Sequence, residues 1–552
     1  MRATDATRAT VGLALCLGAA ALVRWRLADL ATWSIDESAN LWLGTLIRDG
    51  QAPRVGLASS VGTQNLAGAP LVAAPLSLLP DLLAVSRVLA LLQLVALAAL
   101  ALAVARRSRG RVFAVTALAF CPASLLAASS LWNQYLALPI TAGLSALLLA
   151  VAERSGRGGG SAAATLLVAL LLLQPALHLA GFADLIAQGG LAVALLALAA
   201  PRARPAALEL AVTIAFCALF VLYHPWLQRT FALTPRAALL AYGTAALATA
   251  WGAGLVTGLA APLARRAAAA RGLAWSAPAV LAVCAGSTVI AFWGAQAGAR
   301  ELQAGGWGVA LLAAQCAVAA LALPALPGMI ADCRAGATPR ALLRAWFPGR
   351  ERGAALLLAN AALLLAARAA LVPSAVLPDG RPDLLLPLLP ALQAPALLLI
   401  VATPRAPLRA WAMGICGALA AVVVAFAAFG VTGRFAAHSP RFVPASEMRA
   451  LVDWIAAQPD AVDADGRLDV GYDLGEGYEW LIRVACHPTI APWYTFSRPF
   501  DWLFLRRHGL RAAREGTCTR GAPGRWLVTY RAAQPPAGRR RRLQLEHLVV
   551  WE

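Results

Sequence analysis

Long apolar runs alternate with short polar breaks over most of this chain. A helical apolar run of about 17–25 residues matches the hydrocarbon thickness of a bilayer. Thirteen such runs occur, at about 9–24, 84–105, 112–130, 134–152, 162–180, 184–200, 206–223, 237–260, 277–297, 306–330, 353–372, 384–403 and 410–430. The pattern predicts an all-α polytopic helix bundle with about thirteen membrane spans. The first run is short, and Arg24 and Arg26 are expected to snorkel outward from its end, with Trp25 at the interface. A signal peptide has a similar length, but no convincing cleavage site precedes the acidic loop that follows.

Two pieces break the pattern and divide the chain into a membrane module, 1–430, and a polar tail, 431–552. Within the module, 25–83 is a long first loop. In the tail, SEMRALVDWIAAQ (446–458) has helical spacing opened by Ser446, while GRLDVGYDL and GRWLVTYRA alternate like strands. The tail therefore reads as a small α/β domain beside the membrane.

Composition agrees with the pattern. Hydrophobic residues make up 60% and charged residues 13% of the 552 positions, against roughly 45–50% and about 25% in soluble domains. The net charge of +20 comes from Arg alone, since the chain has no Lys. That usage, with abundant Ala and Gly, fits a GC-rich genome. The Arg residues are scattered among short loops rather than gathered on one surface, which argues against nucleic-acid binding.

Their distribution sets an orientation. The N-terminus and loops 106–111, 153–161, 201–205, 261–276, 331–352 and 404–409 hold twenty Arg. The alternate loops, leaving aside 25–83 and the tail, hold four: Arg229, Arg236, Arg300 and Arg381. The positive-inside rule places the N-terminus in the cytoplasm and, after thirteen crossings, the tail outside. In that oxidising compartment Cys486 and Cys518, the tail's two cysteines, form a candidate disulfide. The other seven lie in or next to apolar helices, where packing is the expected role.

Sidedness gives meaning to TWSIDESANLWLGTLIRDG (32–50), which sets Asp36 beside Glu37 on the outer face. The pair is either a solvated loop with Asp36 capping a short helix, or a catalytic constellation. In the second case one carboxylate is a general base on an acceptor hydroxyl, and the other orients the acceptor or holds a divalent cation. The amphipathic stretch after it has the pattern of a helix lying flat at the interface. Arg87, Arg368 and Arg381 fall at the same level. Charges within spans are costly and tend to face a cavity or partner. Arg also fits phosphate oxygens bidentately, so these three are candidates for a phosphate-bearing lipid. Snorkelling to headgroups is the competing role for Arg87 and Arg368. In SSLWNQYLALP (129–139), Trp132 and Tyr135 suit an interface belt, while Asn133 and Gln134 suit sugar hydroxyls. His178 and His224 lie near outer helix ends and are candidate metal ligands or acid/base groups, as well as ordinary structural histidines. In the tail, Asp473, Glu476 and Glu479 read as a solvated loop.

Taken in order, WSIDES after the first helix, SSLWNQY after the third, DGRPDLLLPLLP at 379–390 and an outer terminal domain resemble GT-C-type membrane glycosyltransferases. The likeness is to the bacterial protein-mannosyltransferase-like and lipid A aminoarabinose transferase-like family. It covers most of the chain as architecture and about thirty residues as motif. It implies transfer of a sugar from a polyprenyl-phosphate donor to an extracytoplasmic lipid, glycan or protein, in the bacterial inner membrane. It also implies Asp36 as base, Glu37 in support of the acceptor or of a Mg, Mn or Zn ion, and Arg381 with Arg368 on the donor phosphate. The chain departs from the family where many members read KPPL in the first loop; here the stretch is VGTQNLAGAPL, with Asn65 as a candidate substrate contact. Two other functions compete. A transporter or flippase predicts internal repeats and mid-membrane polar groups. An oligosaccharide polymerase or ligase predicts reliance on later outer loops.

Overall fold

The computed structural model describes residues 2–30, 35–48, 50, 65, 68–79, 82–105, 108–154 apart from 129 and 134, and 161–199 apart from 179. It continues with 339–371, 382–402, 406–430, 470–473 and 526–552 apart from 532, 533 and 547, plus single positions at 321–335 and 447–458. The predicted spans at 206–223, 237–260 and 277–297, and nearly all of 306–330, lie outside the described residues.

What is described is mostly helical. α1 (Arg2–Leu27) ends in a 3₁₀ turn, Ala28–Leu30, and is followed by α2 (Ile35–Arg48) and α3 (Gly68–Leu76). Then come α4 (Leu82–Val104), α5 (Ser108–Ala119), α6 (Pro122–Ala127), α7 (Ala137–Arg154), α8 (Ser161–Leu177) and α9 (Gly181–Ala199). After the undescribed stretch, α10 (Pro339–Trp346) leads into α11 (Glu351–Leu371). A 3₁₀ segment, Pro382–Leu388, then opens α12 (Leu389–Ala402), and α13 (Ala406–Ala425) closes in a π turn, Phe426–Gly430. Among the described residues, four stretches are long and apolar enough to cross a membrane: Thr7–Leu27, Leu83–Val104, Leu385–Ala402 and Ala410–Ala428. Leu15, Leu22, Leu92, Val95, Trp411 and Met413 are exposed on three of them, as expected of side chains facing lipid.

The run at 112–130 is not one helix. α5 stops at Ala119 and Pro122 starts the short α6, because a proline inside a continuous helix removes a backbone donor and clashes one turn back. α8 and α9 meet in a tight turn, where a Cβ on Gly181 would sit 2.2 Å from the Gln174 carbonyl oxygen. Only glycine fits there.

Polar side chains tie the helices together at both ends. Arg350, just before α11, donates to the carbonyls of Ala103 (3.0 Å) and Val104 at the end of α4, and pairs with Glu153 of α7. At the other end of α11, Arg368 grips Asp184 of α9 with two bonds, 2.7 and 2.5 Å, both side chains buried. Between α7, α8, α9 and α11 runs a chain of amides: Gln174 donates to Gln188, Gln188 to Asn360, and Asn360 to Ser145. Arg24 also points inward. It is 1% exposed and donates to Gln93, Ser124 and the Ala119 carbonyl. The expected outward snorkelling is corrected: the interior supplies acceptors that satisfy the guanidinium better than an apolar flank.

The tail contains a four-stranded sheet in the order β1-β2-β4-β3, with β1 (Val470–Asp473), β2 (Trp526–Tyr530), β3 (Arg541–Gln544) and β4 (Leu548–Trp551). β1 runs parallel to β2, and the other pairs are antiparallel. Helical residues of 447–454 pack on it: Glu447 accepts from the Leu548 amide at 3.0 Å, and Trp454 meets Trp526 edge-on. Asp473 therefore ends a strand rather than lying in a loop. Glu476, Glu479, Cys486 and Cys518 lie outside the described residues.

Candidate functional site

α2 carries the acidic pair. It starts at Ile35, so Asp36 lies inside the first helical turn rather than capping it. There the helix's unpaired amides favour a negative charge. Glu37, Asn40, Leu41 and Gly44 recur at helical spacing and are all buried. That face does not lie on a membrane surface. It packs against α3, where a Cβ on Gly44 would stand 2.7 Å from the Ala73 backbone, so the missing side chain is what lets the two helices touch. α3 is seated in turn on the end of α8, with Gly68 against Ala176.

The polar part of the same face docks on the segment between α6 and α7. Ser130 Oγ donates to Glu37 Oε1 at 2.7 Å, and also accepts from the Trp132 amide at 3.1 Å. Asn40 Nδ2 donates to Asn133 Oδ1 at 2.6 Å and to the Leu131 carbonyl at 3.1 Å. Trp132 stands edge-on to Tyr135, ring centres 5.0 Å apart. Two stretches some 90 residues apart in sequence, WSIDES and SSLWNQY, are thus held together by direct bonds. Neither Asn40 nor Ser130 stood out in sequence. Asn40 was legible only through its i, i+3 spacing from Glu37.

The other candidates divide. Arg87 of α4 lies over the Trp25 ring, 4.5 Å from its centre, with its Nε buried and without a partner. Asn65 is buried just before α3. Arg368 is 3% exposed and committed to Asp184, so a lipid phosphate would have to displace a carboxylate already bound in bidentate form. An acid in the first turn of α9, inside an apolar run, was the sequence signal for that partner. His178 closes the end of α8, its Nδ1 accepting from the Ala180 amide at 3.1 Å. Among the described residues no three His, Cys, Asp or Glu side chains gather as a metal site. The Glu37 carboxylate and His178 Nδ1 each accept a local hydrogen bond. Gln134, His224 and Arg381 lie outside the described residues.

No family model, curated protein or solved structure matches the chain.

Proposed function

We propose that the chain is a GT-C-type membrane glycosyltransferase that moves a sugar from a polyprenyl-phosphate carrier to an extracytoplasmic hydroxyl. In this reading the chain crosses a bacterial cytoplasmic membrane about thirteen times, with the N-terminus inside and the terminal α/β domain outside. The observation that carries the proposal is the seam between α2 and the 130–133 segment, which fixes an acidic helix turn against a polar loop at one end of an apolar bundle. Arg111 and Arg350, the latter paired with Glu153, meet the carbonyls at the end of α4 at the opposite end, where α7 finishes and α11 begins. That separation supports an acidic face turned away from the cytoplasm.

Asp36 is assigned as general base. It accepts the proton of the acceptor hydroxyl as that oxygen forms a bond to the anomeric carbon. The bond from that carbon to the phosphate oxygen breaks, and its electron pair leaves with the polyprenyl phosphate. A single displacement of this kind inverts the anomeric centre. Glu37, buried and bonded by Ser130, is a positioning residue that holds the first turn of α2 in place. Arg381 and Arg87 are the cations assigned to the leaving phosphate.

The test uses membranes containing the protein and labelled polyprenyl-phosphate sugars. Wild type transfers label, and Asp36→Asn lowers the rate by about 10²–10⁴-fold, the usual contribution of a general base. If Asp36→Asn and Glu37→Gln both transfer sugar at the wild-type rate, the assignment is wrong.

A further inference from the structure

Within the α2 seam, two amide groups are only half used. Asn40 and Asn133 are 0% and 2% exposed, yet Asn40 Oδ1 and Asn133 Nδ2 have no hydrogen-bond partner. Buried polar atoms are nearly always paired, so an orphan in the interior calls for a partner. The orientation of both amides is fixed by their neighbours. Turning Asn40 over would aim its oxygen at the Leu131 carbonyl oxygen, which now receives its Nδ2 at 3.1 Å. Turning Asn133 over would set its NH₂ against the NH₂ of Asn40, where a 2.6 Å bond now stands. The orphans are therefore one acceptor and one donor, on amides already bonded to each other.

One chemical group serves both at once. A hydroxyl donates its hydrogen to Asn40 Oδ1 and accepts from Asn133 Nδ2. A carboxylate or a fully ionised phosphate offers no donor, and an ammonium offers no acceptor. The position adds a second constraint, since Asn40 lies one turn from Asp36 and Glu37 on α2. We infer that Asn40 and Asn133 form a subsite that reads one hydroxyl of the transferred sugar. This rests on the glycosyltransferase reading above and deepens it, because it names residues that distinguish a sugar-bearing carrier from a bare one.

The probes are undecaprenyl phosphate, undecaprenyl-phosphate mannose and the monodeoxy forms of the latter, with binding to the full-length protein in nanodiscs measured by thermal shift and titration. The variant is Asn133→Asp, which keeps the oxygen that accepts from Asn40 Nδ2 and replaces the orphan donor with an acceptor of nearly the same shape. Expected is a preference of at least tenfold for the sugar-bearing lipid over undecaprenyl phosphate in wild type. Asn133→Asp loses that preference while holding undecaprenyl phosphate as before. One monodeoxy form binds wild type no better than the intact sugar lipid binds Asn133→Asp. An undiminished preference in a folded Asn133→Asp overturns the subsite, and would mean that the two amides hold only a water molecule. Equal binding of all the lipids by wild type removes the donor class as well, which separates failure of the subsite from failure of the broader reading. Should Asn133→Asp not fold, Asn133→Ala, which removes the orphan donor altogether, gives the same comparison.

Discussion

At the residue scale, the candidate site is joined by side-chain hydrogen bonds between α2 and the 130–133 segment. Ser130 Oγ donates to the Glu37 carboxylate, and a hydrogen bond to a charged group contributes about 1.5–3 kcal/mol. Ser130→Ala is expected to lower sugar transfer by about tenfold or more, with Ser130→Thr restoring most of it. A merely structural loss would instead lower the unfolding temperature without rescue, so both quantities are measured together. Arg368 and Asp184 make a different kind of pair. Removing either partner leaves a buried charge unpaired, which costs about 3–5 kcal/mol. Arg368→Met and Asp184→Leu alone should each reduce the amount of monodisperse protein and its melting temperature in detergent. The double variant should recover much of that loss. If Arg368→Met melts like wild type but loses affinity for undecaprenyl phosphate, the guanidinium serves a ligand and not the helix pair.

Elements are placed largely by what they lack. Gly44 allows α2 to meet α3, and Gly68 allows α3 to meet α8. In Gly44→Val the branched side chain runs into the Ala73 backbone, so α2 must move off α3. The expected outcome is rapid protease cleavage within 25–83 and loss of transfer. Gly417→Val meets open space and should change neither, provided both variants are compared in the same membranes. Periodicity in the sequence placed α4, α7, α8, α9 and α11 within a few residues of where they stand, because a long apolar run in a bilayer has no good alternative to a helix. It merged α5 and α6, since apolar composition outweighed Pro122. It read α2 as resting on a membrane surface, since an amphipathic face looks the same whether it meets lipid or another helix. In the tail β1 and β2 were legible as alternating strands. β3 and β4 were not: RRLQ is largely exposed and LVVW wholly buried, so neither shows the two-residue alternation of a half-buried strand.

For the whole molecule, the arrangement is polarised. Acidic α2 sits at one end, and the Arg350 cluster, joined to α4 and α7, sits at the other. Labelling with a membrane-impermeant maleimide tests that polarity. Exposed Arg48 and Arg352, replaced separately by cysteine, should react from opposite sides of intact spheroplasts and inverted vesicles. Arg48→Cys should react in spheroplasts and Arg352→Cys in inverted vesicles. Reaction of both from one side would end the outward-facing site.

The sequence by itself determined that the chain is a helical membrane protein with an added polar domain. Apolar content and run length decide that without reference to any contact. It also singled out WSIDES and SSLWNQY as candidate stretches, through their departure from an apolar background. Tertiary structure decided how those stretches are used. It brought Glu37 to Ser130 and Asn40 to Asn133 across some 90 residues, took Arg368 into a pair with Asp184, and turned Arg24 inward. Which acceptor satisfies a buried donor depends on distances between elements, and no local pattern along the chain encodes those distances.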